Sequence, residues 1–575
     1  MASFAVSSFS RIFFKCLPNC SNICNGVTQQ VMFQSNSSAV IPQLPKTEQR
    51  CPFSGDTSTT TLVDTEIDGH VNGHFDAVNA KQFEQIPTPY SIKFIGSSVA
   101  VMQNGGAEYL HEYVDRRHKQ LGPIFKDRTS VLNSTDIVFI ADNKMMQSVY
   151  VNEGKHPMHL VPESWTLYNH LKNVRRGLFF MDGSEWSHLR AILNKLFLNR
   201  ETVHEYTAVF NDVVSDLLRG WTTSIGNAAS FSNKDANGEN TKIAIINELE
   251  KDLYKWSIES LGSMIFGRRL GCVPNKHVAC QQLRHINEFV ACVQQIFVES
   301  ASMTLIPARY AYKLNLPVWK RFEKAADGAI ELAREYVREN IEATNDAPQL
   351  NTSVAGVLQQ LIAHKQIDYD LICSIIVDLF IAAADTTSHG TQWALYLLAK
   401  NPECQQKLYE EVNSVVKNDH IIEEKHLTQM PYVKCIIKET LRMYPIAPFL
   451  SRILAKDIIL GGYHIPKGKL IAMSIYTTGR DEKYFEKPNT FKPERWIRNT
   501  VRSQERHNAY ACLPFGHGVR SCIGRRVAEV QMQLLLAKTV QKFKLYPESE
   551  KDINIKLRMI TTPAEKIKLK IEERL

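Results

Sequence analysis

Apolar residues recur along this chain mostly at helical spacing, and one stretch of them is almost unbroken. From Leu371 to Lys400 apolar side chains occupy nearly every face, which predicts a helix buried through the centre of a domain. Its interior breaks pattern at Ala382-Ala383-Ala384-Asp385-Thr386-Thr387. An acid beside hydroxyls inside a buried helix is costly unless it is used or satisfied. The small residues just before it leave space for a ligand against the helix; the alternative is a kink stabilised by threonine back-bonding. Between Met430 and Tyr444, Val433, Ile436, Ile437, Thr440 and Leu441 form one stripe at 3.6-residue spacing, with Glu439 and Arg442 at i,i+3 on another face. Residues 279–345 read as two long helices joined by Ser300 to Pro307, an apolar loop that fits either burial or shallow membrane insertion. Strand-like pieces are short and confined to 136–141, 457–476 and 553–570. Helices outnumber strands widely and no repeat is visible, so the expected fold is mainly α with small β-sheets.

The N-terminal part is different. No acidic residue precedes Glu48, serines abound, and Arg11 and Lys15 flank apolar patches such as Ile12-Phe13-Phe14. That is the composition of a mitochondrial presequence, taken as residues 1–47. Residues 48–84, with hydroxyls from Thr57 to Thr61 and scattered Asp, Asn and Gly, cannot bury a core and read as linker. The body is expected at 85–575, launched by Ile86-Pro87-Thr88-Pro89. The first 80 residues hold four basic and six acidic side chains, leaving the remainder with 64 basic against 54 acidic. That excess suits an acidic protein partner or an anionic membrane surface; no basic run or basic-aromatic cluster points to nucleic acid. No stretch approaches 18 uninterrupted apolar residues, so no membrane span is predicted. Of twelve cysteines, four lie in the first 51 residues and the rest are scattered without paired spacing, which argues against a disulfide framework or a zinc site.

One cysteine stands apart. Phe515-Gly516-His517-Gly518-Val519-Arg520-Ser521-Cys522-Ile523-Gly524 reads F-x-x-G-x-R-x-C-x-G, a glycine-punctuated turn that runs into a helix with Ile523, Val527, Val530, Leu534 and Ala537 in one seam. A thiolate at such a turn, with an arginine and backbone N–H groups nearby, is stabilised as an anion, as a sulfur ligand to haem iron requires. A buried structural cysteine is the plainer alternative. Upstream, Trp186 and Arg190 stand four apart on a helical pattern and together could clamp a carboxylate, or simply form a solvated pair. Lys434 and Lys438, also four apart, would ordinarily just face solvent.

The cysteine loop resembles the haem-thiolate signature of the cytochrome P450 family. That resemblance covers about residues 85–575 and implies haem b bound through Cys522, with Phe515 and Gly524 shaping the loop. It implies that Trp186, Arg190, Arg452 and Arg520 hold the haem propionates. It makes Asp385 and Thr386 a proton relay for dioxygen activation, although the family usually has glycine where this chain has Ala383. Phe491-Lys492-Pro493-Glu494-Arg495-Trp496 resembles the family's P-E-R-W segment, so Arg495 would complete a structural network with Glu439 and Arg442. The turn of a final hairpin near Ile560-Thr561-Thr562-Pro563 would reach the substrate pocket, for which Ala383, Phe449 and Thr561 are the candidates. The expected activity is that of a monooxygenase.

Lys434, Lys438, Arg525 and Arg526 are similar to the positions at which mitochondrial P450s dock an acidic [2Fe-2S] ferredoxin, itself recharged by an NADPH-dependent reductase. With the presequence, they imply a peripheral protein on the matrix side of the mitochondrial inner membrane. The segments Tyr444 to Arg452 and Ser474 to Asp481 resemble those of arthropod ecdysteroid-making P450s, in particular the 2-hydroxylases. A 2-deoxyecdysteroid substrate and its 2-hydroxylated product follow as the expectation. Other ecdysteroid positions such as C-22, and foreign compounds, are the alternatives. A haem-based sensor would need neither Asp385–Thr386 nor the lysine face, and a peroxygenase using hydrogen peroxide would need no ferredoxin dock.

Overall fold

The computed structural model describes residues 80–574 apart from 92–95, 130–135, 176, 228–230, 235–239, 274–279, 304–305, 347–355, 365–366, 418–420 and 498–508. The expected presequence and nearly all of the expected linker lie outside the described residues. Packing begins slightly ahead of residue 85, with Phe83 buried and Lys81 bridging Tyr463.

The helix Tyr369–Lys400 runs through the main core, packed by the helices Leu249–Phe266, Pro317–Asp346, Pro431–Met443 and Arg525–Lys542. Asp368 caps its start, accepting the Leu371 N–H at 2.9 Å. Near its other end the fully buried Trp393 stacks on Tyr444 with ring centroids 3.9 Å apart, joining this helix to the end of Pro431–Met443. Burying a large apolar side chain contributes about 2 kcal/mol, and dozens line this core. Among the described residues this is also the helix long and apolar enough to cross a membrane, and it is enclosed by the rest of the protein.

Among the described residues, four small sheets complete the fold. One orders Ile124–Asp127, Ile137–Ile140, Leu470–Ser474 and Phe449–Ile453, with the middle pair parallel and its neighbours antiparallel. Another orders Phe231–Lys234, Asn240–Ile246, Leu569–Glu573 and Phe543–Pro547. Two hairpins pair Ile458–Leu460 with Tyr463–Ile465 and Ile555–Arg558 with Ile560–Pro563. Strands occur in all three regions that the pattern marked. Ile124–Asp127, Phe231–Lys234, Asn240–Ile246, Phe449–Ile453 and Phe543–Pro547 escaped it: all are short, and Asn240–Ile246 and Phe543–Pro547 also rest on a partner far away in sequence, Leu569–Glu573.

The region 279–345 holds three helices, Cys280–Ser302, Ala308–Lys313 and Pro317–Asp346. The added short helix turns the joining segment inward: Met303 and Ala308 are buried, and the Ala308 N–H donates to Glu163. The described part of that loop fits the burial alternative, while residues 304 and 305 lie outside the described residues. The exposed apolar side chains of this region are instead Tyr312 and Leu314. Among the described residues, seven cysteines stand outside any disulfide.

Candidate active site

The cysteine loop closes on itself through backbone hydrogen bonds, Cys522 N to Phe515 O at 2.8 Å and Ser521 N to Gly518 O at 3.1 Å. Gly516 and Gly518 adopt φ of 68° and 74°, which residues with a Cβ resist, and a Cβ at Gly518 would also run into Glu153. The Cys522 thiol is left exposed by this turn, yet it lies deep in the fold. Desolvation there raises its pKa, opposed by the Gly524 N–H and by the charges of Arg190 and Arg525. Arg520, expected beside the sulfur, turns elsewhere. It donates to the carbonyls of Pro157 (2.6 Å) and Met181 (2.7 Å) and to Asp182 (2.7 Å), with its guanidinium 4.1 Å over the Trp186 ring.

Trp186 and Arg190 project from the helix Gly183–Phe197 and are both buried. Arg190 bridges to the loop through the Ser521 carbonyl at 2.7 Å. Arg452 pairs with Glu153 at 2.6 Å and reaches the His517 carbonyl at 3.3 Å. Three guanidiniums thus surround the cysteine loop with two carboxylates, Glu153 and Asp182, among them. Burial, together with Arg452 and Arg190, pushes Arg520 down to about 10. His159 is pushed down to about 4 by burial and by Arg520 and Arg452, and its Nδ1 and that of His156 are buried without a partner. Surplus positive charge and unused ring nitrogens beside an exposed thiol fit an anionic, metal-bearing ligand with carboxylates, as a haem is.

On the central helix Asp385 is buried, and desolvation raises its carboxyl to about 6, with His389 pulling down, Glu250 pushing up and Tyr254 pulling down. His389 Nδ1 lies 2.8 Å from the Asp385 carbonyl and its Nε2 3.7 Å from Glu250. Burial alone would lower His389; Glu250 and Asp385 outweigh it and raise its pKa. The Thr386 hydroxyl donates to the Ala382 carbonyl at 2.7 Å, and the Ala383 carbonyl accepts from Ser257 at 3.2 Å.

Glu439, Arg442 and Arg495 meet. Arg442 makes a two-pronged contact with Glu439 (2.9 and 2.8 Å), Arg495 adds a third bond (2.9 Å) and Trp496 Nε1 a fourth (2.9 Å). Arg442 also donates to the carbonyls of Gly479 and Pro488, so the cluster ties four segments together. On the surface Lys438, Arg525 and Arg526 are exposed and Lys434 is half-buried, its pKa lowered by burial and then by Arg200 and Arg526. Arg200 therefore joins this basic face, which spacing alone could not show.

Of the pocket candidates, Ala383 and Phe449 are partly buried, and the Phe449 ring packs edge-on against Phe139. Thr561 is a correction: it is fully enclosed, and its hydroxyl and N–H are taken by the carbonyls of Pro445 and Ile446. Sequence reasoning missed Glu153, Asp182, His159, His389 and Asp378. Asp378 carried a signal, an ionisable residue inside an apolar helix; the others acquire meaning only from distant partners.

Comparison with known proteins agrees with this geometry. The family model described as Cytochrome P450 matches residues 86–571. "Cytochrome P450 315a1, mitochondrial" of Drosophila melanogaster is 34% identical over 496 residues, covering 86% of this chain and 90% of that protein. Sterol 26-hydroxylase, mitochondrial, of Rattus norvegicus is 28% identical, covering 87% and 90%. The cholesterol side-chain cleavage enzyme, mitochondrial, of Hypanus americanus is 28% identical, covering 78% and 82%. The chain belongs to the cytochrome P450 family, and it is a haem-thiolate monooxygenase.

Proposed function

We propose that this protein is a mitochondrial P450 that hydroxylates an ecdysteroid, at C-2 of a 2-deoxyecdysteroid, in moulting-hormone biosynthesis. The observation that carries the enzymatic part is the exposed Cys522 thiol in a desolvated turn ringed by Arg190, Arg452 and Arg520. The steroid part draws on the likeness to mitochondrial sterol enzymes and on the segments Tyr444 to Arg452 and Ser474 to Asp481.

Cys522 would supply the thiolate ligand to the haem iron, and the Gly524 N–H stabilises the sulfur's negative charge. Trp186, Arg190, Arg452 and Arg520 hold the two propionates, and Phe515 and Gly524 shape the loop beside the ring. When bound, the haem supplies the activation of dioxygen that monooxygenation needs. Asp385, held at about 6, exchanges a proton readily near neutral pH, which suits a carboxyl that must both take one up and hand it on. The Thr386 hydroxyl, once turned away from the Ala382 carbonyl, would relay a proton by accepting one on its oxygen while its own hydrogen passes to the next acceptor. Ala383 narrows the groove beside them. Lys434, Lys438, Arg525 and Arg526 face an acidic [2Fe-2S] ferredoxin recharged by an NADPH-dependent reductase; such electrostatic docking lets the partner leave after each electron. Peripheral contact with the matrix side of the inner membrane falls to the exposed Tyr312 and Leu314.

The test is reconstitution with ferredoxin and reductase against an ecdysteroid panel. A 2-hydroxylated product that needs both proteins is expected. A product hydroxylated elsewhere, such as C-22, or turnover of foreign compounds alone would replace the substrate assignment. Turnover with hydrogen peroxide alone would displace the ferredoxin. In Cys522→Ala the red-shifted Soret band of the reduced carbonyl complex should vanish; its persistence would end the ligand assignment.

A further inference from the structure

The central helix is enclosed by protein along almost all of its length, but one stripe is open. Ser374, Asp378, Ile381, Ala382, Ala383 and Thr386 keep partial or full exposure, while the other residues from Leu371 to Ala399 are buried. The spacing 374, 378, 381–382, 386 puts these side chains on one helical face. The same face carries the Thr386 hydroxyl, so the accessible stripe runs from Ser374 to the proposed proton relay. Asp378 is the carboxyl of that stripe.

Its surroundings are unusual. The Phe179 N–H donates to Oδ2 at 3.0 Å; among the described residues Oδ1 has no hydrogen bond, and no cation pairs with the group. A Cβ at Gly177 would run into the carboxylate, so the chain at 177–179 lies directly against it. Phe179 is half exposed, and its ring meets His159 edge-on with centroids 5.2 Å apart. Residues 177–182 lead into the helix of Trp186 and Arg190, so Asp378 stands where the open stripe meets the ring of arginines. Desolvation pushes its carboxyl up to about 7, which leaves it able to accept or donate near neutral pH. A structural anchor for one backbone N–H would need only one oxygen; the second, without a partner among the described residues, is placed to meet a ligand.

We infer that Asp378 is a specificity-determining residue whose carboxyl hydrogen-bonds a hydroxyl of the bound steroid, favouring polyhydroxylated over sparsely hydroxylated nuclei. This rests on the steroid reading above. Buried polar groups left unpaired by a ligand that lacks the hydroxyl disfavour that ligand, whereas an apolar wall would not discriminate.

The experiment is a titration of the holoenzyme's Soret band with 2-deoxyecdysone and with cholesterol, read as a dissociation constant without turnover. Wild type should prefer 2-deoxyecdysone. Asp378→Ala should weaken that steroid by about 10- to 100-fold and leave cholesterol within about threefold, the span of one hydrogen bond to a charged group. Asp378→Asn, which keeps an acceptor for the Phe179 N–H, should lose less in the same direction. Gly177→Ala, which displaces the carboxylate without removing it, should follow Asp378→Ala. Unchanged preference in Asp378→Ala, or equal weakening of both ligands in Asp378→Ala and Asp378→Asn, would overturn the role of Asp378 and leave the steroid reading standing. Wild type that binds neither ligand would overturn both.

Discussion

Two regions of this molecule bury carboxylates, and they do so in opposite ways. Around Glu439 each oxygen is matched: Arg442 and Arg495 bring two guanidiniums, and Trp496 and the Lys492 N–H bring further donors. On the central helix, Asp385 is buried and Asp378 half-buried, each with little to compensate it, and desolvation drives their pKa values up to about 7 for Asp378 and about 6 for Asp385. The first arrangement keeps charge in place and welds segments together. The second keeps protons near the point of exchange. A buried acid is thus structural or reactive according to what faces it, not according to how deep it lies.

The sharpest way to break this contrast is Glu439→Ala. It leaves Arg442, which is fully buried, without its counter-charge, and we expect a loss of about 3–5 kcal/mol of stability, measured by thermal or denaturant unfolding. A loss below 1 kcal/mol would show that the cluster does not hold the fold. Asp385→Asn should do the reverse: turnover falls about 100-fold or more while the unfolding midpoint does not fall. Product formation per electron consumed checks this, since protons delivered badly divert electrons without hydroxylation.

A pH series sharpens the comparison further. An acid whose native pKa is raised binds more protons folded than unfolded between about 4 and 7, so its contribution to stability declines as pH rises through that window. Asp378→Asn removes the decline. Relative to wild type it should gain on the order of 4 kcal/mol at pH 8 and almost nothing at pH 4, a difference that paired unfolding curves would read. The smallest effect belongs to Arg495→Ala. Glu439 keeps Arg442, so about 1.5 kcal/mol is expected, far less than for the carboxylate itself.

The comparison also shows where sequence reading succeeds. Glu439 and Arg442 are one helical turn apart, and the P-E-R-W segment marked Arg495, so their meeting was legible. Asp378 lay in the same apolar run that predicted the central helix, and the run's strength masked it. Arg452 was marked, but its partner Glu153 lies 299 residues away and carries no local sign. Thr561 was read as pocket-lining because the final hairpin was found there, but Thr561 lies on the strand after the turn at Met559; which way its hydroxyl points depends on the carbonyl of Pro445.

The amino-acid order by itself determined the helices, the buried central span, the cysteine turn and hence the family. Each of these rests on periodicity or spacing within a few turns of chain, where side chains meet neighbours that the sequence already specifies. Only the tertiary structure decided which strands pair, as when Leu569 joins both Ile246 and Pro547, and which stripe of the central helix stays open. It also decided that Arg520 turns toward Asp182 and that Asp378 meets no cation among the described residues. Pairing between distant segments and the dielectric around a charge are properties of the packed chain, so no local pattern encodes them.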